Sequence, residues 1–448
     1  MNNKVIKCGT LITGDGKAVD KNKAVWIKNG QFYDITNYDI IQGATDVEII
    51  DASDKMVVPG AITHHTHGCT LGPLFPSAAV PVSEEKALFN LNRHLSQGTT
   101  TVCNVDGMGT YEETECINKK TSVNLFTTTI NTITNMKVAE MVDGKGLKAV
   151  HRALDVGQML EFGAVAVGEV GGGHTLGGGG QDYLYIPNAF EKKIGVKITM
   201  AQARNLKFAA LGRYMRGADD ECDLNEVQRL LEEYGIADKI TISEAVKLIR
   251  DCVLPSISAS LNGFEEGCKT AMMYRVPIIL HNSAPSVRKI EEILLKYGSK
   301  CDLIAAHCNH DTFEIEEAVK WAKRLKELGA IIDVGTFDLT EESQQQTGGD
   351  PEYFDALIRS GVTDVISTDY NGGCWDGLYT GVSRIVKKDY MDIAKAVALC
   401  TGNVRNVVPL LAKDRGLIRR GFDADFVVTD AADVGVIKDV YIDGNLIY

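Results

Sequence analysis

His65 and His67 stand two residues apart in the stretch Val57-Val58-Pro59-Gly60-Ala61-Ile62-Thr63-His64-His65-Thr66-His67-Gly68. If Val57 to His67 is a strand, alternate side chains face one way, so these two imidazoles project together and His64 and Thr66 project oppositely. Two adjacent ring nitrogens at a strand's end can hold a divalent ion, and Gly68 lets the chain turn away directly afterwards. Four more residues repeat the placement: Glu169 after Ala164-Val165-Ala166-Val167-Gly168, His281 after Pro277-Ile278-Ile279-Leu280, His307 after Leu303-Ile304-Ala305-Ala306, and Asp369 after Val365-Ile366-Ser367-Thr368. A carboxylate buried at a strand end requires a metal or an ionic partner. Taken singly, a His-x-His pair is more often a histidine-rich turn, and a strand-end His more often a satisfied core residue. As a set, four imidazoles and two carboxylates suit two divalent ions sharing a bridging water. Of the nine histidines, His64, His174 and His310 lie near these ends, with His174 and His310 as further candidates for substrate contact; His94 and His151 fall on expected helices and take no role.

Positioning such a set requires strands whose ends converge. Apolar strands are expected over Met56 to His67, Thr99 to Val105, Val123 to Ile130, Ala164 to Val170, Val276 to His281, Leu303 to His307, Ala330 to Val334 and Val365 to Thr368. Between them lie amphipathic stretches, among them Glu84 to Gln97, Leu147 to Phe162, Ser286 to Tyr297, Thr312 to Leu328 and Glu352 to Ser360. This alternation predicts an α/β fold, a (β/α)8 TIM barrel with its chemistry at the C-terminal strand ends. An open doubly wound sheet is the weaker fit, because no Gly-x-Gly-x-x-Gly follows a first strand. Both chain ends have a different texture, short strands split by turns, with Asn29-Gly30 marking a hairpin. Each end is too small to bury a core alone, so residues 1–55 and 414–448 are expected to pair into a small β-sandwich domain, leaving 56–413 as the barrel.

One connection exceeds what a barrel needs. From Gly171 the chain runs through Gly172-Gly173-His174-Thr175-Leu176-Gly177-Gly178-Gly179-Gly180 and then through helical stretches such as Leu224 to Tyr234 and Ile242 to Asp251. The run lacks the Lys-Ser/Thr ending of a phosphate loop. It reads as a mobile loop over the barrel mouth, followed by a helical insertion at about 171–260 that shapes the pocket or a subunit contact. A homo-oligomer, dimer or tetramer, is expected.

Composition narrows the partners. Among 448 residues, 60 Asp and Glu outnumber 47 Lys and Arg for a net charge of −13, a field that repels nucleic acid and anionic membranes. Eleven cysteines, an odd number without a Cys-x-x-Cys pair, suit free thiols in a reducing compartment. No apolar run long enough to span a bilayer occurs, so a cytoplasmic protein acting on a small molecule is expected.

The pattern resembles the amidohydrolase superfamily over nearly the whole chain except the insertion. The Pro-Gly-x-Ile-x-x-His-x-His strand, the later strand-end His residues and Asp369 match. So does Thr401-Gly402-Asn403 leading to Gly416-Leu417-Ile418-Arg419-Arg420-Gly421-Phe422-Asp423-Ala424-Asp425. The resemblance implies two divalent metal ions, with zinc the first expectation and iron or manganese fitting comparable ligands. It implies His65, His67 and Asp369 around one ion, His281 and His307 around the other, and Glu169 as the bridge where many relatives use a carboxylated lysine. Thr63 departs from the family's usual Asp, which puts outer support of the histidines in doubt. Gly168-Glu169-Val170-Gly171 looks most like the enamidase branch, which implies opening of a cyclic amide. In that scheme two ions sharing a water lower its pKa towards neutrality to give a hydroxide nucleophile, and Asp369 carries the proton to the leaving nitrogen. The alternatives are a deaminase with one metal, an N-deacetylase, for which no phosphate-grasping residues are identified, and a non-catalytic oligomeric scaffold. Cys308 is expected to point away from the barrel axis, Cys69 and Cys374 to lie near the mouth, and Tyr370 and Trp375 to offer flat faces to a ring or simply to pack.

Overall fold

Gly60 divides the first expected strand in two. In the computed structural model, which describes residues 3–41, 47–172, 175–217, 221–369 and 376–448, β1 (Asn3–Ile12), β2 (Val19–Lys28), β3 (Gln31–Asn37) and β4 (Glu48–Pro59) precede it, and β5 (Ala61–Thr66) follows. Gly60 donates to the Asp425 carbonyl at 2.9 Å, whereas Ala61 donates to the Gly98 carbonyl at 3.0 Å. The backbone therefore changes sheet between two neighbouring residues, and Met56 to His67 is two strands rather than one. A Cβ on Gly60 would stand 2.1 Å from Thr100 Oγ1, so only glycine permits this approach.

Beyond β5 the chain forms β6 (Thr99–Asn104), β7 (Asn124–Thr127), β8 (Val167–Val170), β9 (Ile278–His281), β10 (Leu303–Ala306), β11 (Ile331–Gly335) and β12 (Val365–Ser367). β5, β6 and β7 make one parallel sheet, and β8 to β12 make another in the order β12-β11-β10-β9-β8. The two meet at a parallel bridge between Thr129 and Val167. At the other edges, Asp369 N donates to the His65 carbonyl at 3.0 Å and the Thr63 and Thr368 hydroxyls lie 3.1 Å apart. β5, β6, β8, β9, β10 and β12 are buried along their lengths, as strands of parallel sheets covered by helices are. The outer helices include Glu84–Ser96, Val287–Tyr297, Ile315–Glu327 and Glu352–Arg359, close to their expected bounds. Leu147 to Phe162 differs. It holds two short helices, Ala149–Ala153 and Val156–Glu161, because Asp155 adopts extended backbone and caps the second.

The chain returns with β13 (Phe426–Thr429), β14 (Ile437–Ile442) and β15 (Asn445–Leu446). These join the N-terminal strands in one seven-stranded sheet, β15-β14-β13-β4-β1-β2-β3, not the two packed sheets of a sandwich. The reason is β4, which pairs with β1 on one side and β13 on the other and so fuses both chain ends into one ladder. The sheet then curls: β3 lies four strands from β13, roughly 19 Å in a flat sheet, yet Phe32 and Phe426 have ring centroids 6.3 Å apart. Phe32 N also donates to the Phe422 carbonyl at 2.8 Å, sealing the β3 edge.

Among the described residues the insertion carries the α-helices Ile186–Ile194, Met200–Leu211, Leu224–Glu233 and Ile242–Val253, and Ile257–Tyr274 leads from it back to β9. The first four share a core of their own around Phe190, Leu206, Val227, Leu230 and Ile249. Thr175 to Gly178 are buried, and the Leu176 carbonyl accepts from Ser283 Oγ at 2.8 Å, so the described part of the glycine-rich run packs against the chain just after β9. No helix among the described residues is long and apolar enough to cross a membrane.

Candidate metal centre

All six strand-end residues converge, with Glu169 at the centre. Glu169 ends an apolar approach on β8, is 1% exposed, and splits its two oxygens between two pairs of imidazoles. Oε2 lies 3.6 Å from His65 Nε2 and 3.5 Å from His67 Nε2. Oε1 lies 2.9 Å from both His281 Nδ1 and His307 Nε2. Asp369 Oδ1 is 3.5 Å from the Nε2 atoms of His65 and His67. Two groups of potential ligand atoms result, His65 with His67 and Asp369, and His65 with Glu169 and His307. His307 and Asp369 both have positive φ, 33° and 42°. Each strand thus turns sharply as it presents its ligand, a backbone state that tends to cluster at functional sites.

The residues present fit divalent cations. Both ring nitrogens of His65, with His281 Nε2 and His307 Nδ1, are buried and make no hydrogen bond, an arrangement that costs free energy unless something else meets them. Ligands about 2.1 Å from a tetrahedral zinc are about 3.4 Å from each other. The spacings within the His65, His67, Asp369 group match that edge, while the 2.9 Å contacts of His281 and His307 are hydrogen bonds onto Glu169.

The protein's own groups also set the charge states. Burial raises the Glu169 carboxyl, but the surrounding imidazoles, His65 and His281 foremost, hold it well below the usual carboxylate range. Burial lowers His67, yet Asp106 and Glu169 outweigh it and push the ring up to about 10. His307 likewise rises to about 9 through Glu169. Burial dominates at His281, which falls to about 3.

Two residues that the sequence reading passed over hold the candidate ligands in place. Asp106, just past β6, lies 2.9 Å from His67 Nδ1 and accepts from Gly68 N and Phe75 N at 3.0 and 2.9 Å. This fixes the ring so that Nε2 faces Glu169. Asp333, inside β11, accepts from His307 N and Ser367 Oγ at 2.9 Å each, and its Oδ1 is 3.4 Å from His64 Nε2. The available signal was the one used for Glu169, an Asp closing or interrupting a buried apolar strand. Thr63 supports the site differently from a carboxylate: its hydroxyl donates to the His65 carbonyl at 3.0 Å and accepts from Thr368 N at 3.2 Å.

Other candidates fall into place around this centre. His310 lies at the mouth, its ring 5.2 Å from His281 and 5.3 Å from His307, with Nδ1 3.1 Å from Asp311. Cys308 and Cys69 are buried, and burial pushes both thiols up, away from thiolate chemistry. His94 is buried on its helix with Nε2 3.2 Å from Thr66 Oγ1, and His151 pairs with Glu113 at 2.9 Å. His174, Tyr370, Cys374 and Trp375 lie outside the described residues.

Comparison with known proteins agrees in fold. No family model matches the chain, and no curated protein matches it in sequence. Among solved structures, an Xaa-Pro dipeptidase with methionine in its active site aligns over 100% of both chains at 16% identity and a TM-score of 0.57. The β-aspartyl dipeptidase of Fervidobacterium islandicum aligns over 100% of this chain and 96% of that one, at 15% identity and a TM-score of 0.55. Enamidase, a member of the amidohydrolase superfamily, aligns over 99% and 95% at 16% identity and a TM-score of 0.53. The chain has the fold of the amidohydrolase superfamily.

Proposed function

We propose that this chain is a metal-dependent hydrolase that cleaves a C–N bond of a small cyclic amide or related heterocycle. The parallel strands β5 to β12, linked at both junctions, are read as a closed (β/α)8 barrel with the site at the C-terminal strand ends. The observation that carries the reading is Glu169, one buried carboxylate whose two oxygens each face a separate pair of imidazoles. His65, His67 and Asp369 would hold one divalent cation, His281 and His307 the other, with Glu169 shared; zinc suits the donors. Bound there, the pair supplies a water of lowered pKa and a Lewis acid for the substrate carbonyl.

The chain's own groups divide the remaining work. Glu169 is held ionised by its imidazole neighbours and is enclosed, so it serves as a ligand and not as a proton carrier. Asp369, whose side chain is 16% exposed, stands where the site opens and can take a proton from water and deliver it to the leaving nitrogen. His310, beside both His281 and His307, faces the same opening and can orient the substrate. Asp369→Asn is expected to retain most metal and lose turnover by about 10²-fold or more. The screen that tests this sets purified protein, with its metal content measured, against lactams, hydantoins, dihydropyrimidines and oxidised pyridines and purines. Ring opening with near-full activity in Asp369→Asn removes Asp369 from the mechanism.

The hydrogen-bonded closure of His281 and His307 onto Glu169 favours a second reading, in which only the His65, His67, Asp369 group is filled. That is an aminohydrolase with one metal, and ammonia release with a stoichiometry of one would select it.

A further inference from the structure

Beside the candidate metal centre lies a cavity of about 70 Å³ that Asp369 itself lines, together with His310, Asp311, Phe337, Asp338 and Arg204. Arg204 and its neighbour Lys207 come from the insertion helix Met200–Leu211, and the other named residues come from the ends of strands. Both insertion cations are already matched. Arg204 Nε lies 2.7 Å from Asp311 Oδ2 and 3.4 Å from Asp182 Oδ2, while Nη1 donates to the Thr347 carbonyl at 3.0 Å. Lys207 Nζ lies 2.6 Å from Asp182 Oδ1 and donates to the Gly177 carbonyl at 3.2 Å. Two cations against Asp182 and Asp311 leave no net charge.

Asp338 is the surplus. It is 8% exposed, and among the described residues it has no ion-pair partner. One carboxylate oxygen, Oδ1, accepts from the Thr347 hydroxyl, and Oδ2 has no donor among the described residues. The chain makes room for this carboxylate at some cost in backbone freedom. Asp338 adopts φ of 65°, and a Cβ on Gly349 would lie 2.0 Å from Oδ2. Burial raises the Asp338 carboxyl to about 6, with Arg204 opposing and Asp311 and Asp376 adding to the rise. A carboxylate buried without a counter-charge is unfavourable in a dry site, and Asp338 lines the cavity that a substrate would fill.

We infer that Asp338 is the anchor for a protonated amine on the substrate, so that the compound hydrolysed at the metal centre carries an ammonium group at its far end. The inference rests on the hydrolase reading only for the claim that the cavity receives substrate. An anionic far end is the rival, and Arg204 would be its partner. Arg204 is the poorer anchor because two carboxylates already neutralise it, whereas Asp338, without an ion-pair partner among the described residues, gains a counter-charge from the ligand. Phe337, on the same wall, offers an apolar surface for the stem that joins the two ends.

Three hydroxamates that share a metal-binding end and differ at the other test this by calorimetry on the zinc-loaded full chain: 6-aminohexanohydroxamic, hexanohydroxamic and adipic monohydroxamic acids. The ammonium probe is expected to bind at least about tenfold tighter than the neutral one, and Asp338→Asn to bring it down to the neutral probe's affinity. Equal affinity of the ammonium and neutral probes, a tightest carboxylate probe, or an undiminished preference in Asp338→Asn overturns the inference. The probe comparison on the unmodified chain stands whether or not the variant folds. A second arm omits the metal: n-pentylammonium is expected to raise the Tm of metal-stripped protein while pentanoate does not. If no hydroxamate binds, the metal-centre reading fails and the n-pentylammonium arm alone decides, with no ammonium-specific shift counting against Asp338.

Discussion

The two sides of Glu169 are built from similar parts and are differently prepared. On the Oε2 side, His65, His67 and Asp369 stand 3.5 to 3.6 Å from one another's partners, the spacing of ligands around a cation, and Asp106 locks the His67 ring from behind. On the Oε1 side, His281 and His307 have closed to 2.9 Å hydrogen bonds on the carboxylate, and a cation entering there must displace them by some tenths of an ångström. Preorganisation lowers the cost of binding. The difference teaches that, in the two-ion reading proposed above, one site is set for its ion in advance, while the other would exchange two charge-assisted hydrogen bonds for it and hold it less tightly.

Removing the shared carboxylate is the harshest way to break this contrast. Glu169→Gln is expected to lose both ions and lower turnover by more than about 10²-fold, the loss that outer partners alone already cause, as read by metal analysis and by rate. Separating the sides is gentler and more informative. His281→Ala should keep one ion per chain where His65→Ala keeps none, because His65 belongs to both groups of ligand atoms; equal losses would show that the sides are not unequal. The smallest effect concerns the support behind His67. Asp106→Asn should weaken metal binding by about 10- to 100-fold with the fold intact by circular dichroism.

A pH series sharpens that last comparison. In metal-stripped protein burial works against the charged His67 ring, but Asp106 and Glu169 raise it to about 10, above the ordinary value of about 6.5. Its contribution to stability is then fully present below about pH 6.5 and lost as pH rises through 10. The Tm should fall over that interval in the unmodified chain and fall less in Asp106→Asn. Metal binding should strengthen over the same interval, since an imidazole must shed its proton to become a ligand.

Much of the centre was legible because strand ends are marked by a simple break in pattern, an apolar run closed by a residue that cannot be buried unpaired. That signal found His65, His67, Glu169, His281, His307 and Asp369 and located β9, β10 and β12 within a few residues. The same signal marks Asp106 and Asp333, yet local pattern alone does not separate a ligand from a residue that holds a ligand. Gly60 was misleading for a related reason. Val57-Val58 and Ala61-Ile62-Thr63 continue one another across Pro59-Gly60, and that dipeptide marks a possible break without saying that the two halves join different sheets. The sandwich expectation failed on pairing: two edges from opposite chain ends joined through β4, which residue type cannot announce.

The order of apolar and polar residues, by itself, determined that parallel strands alternate with helices and that six candidate ligand side chains end those strands, because burial and periodicity act over a few neighbouring residues. Only the tertiary structure decided which oxygen of Glu169 faces which imidazole, which aspartates stand behind them, and that Asp338 has no ion-pair partner among the described residues. Those outcomes depend on distances between residues far apart along the chain, where charge and hydrogen bonding act through space.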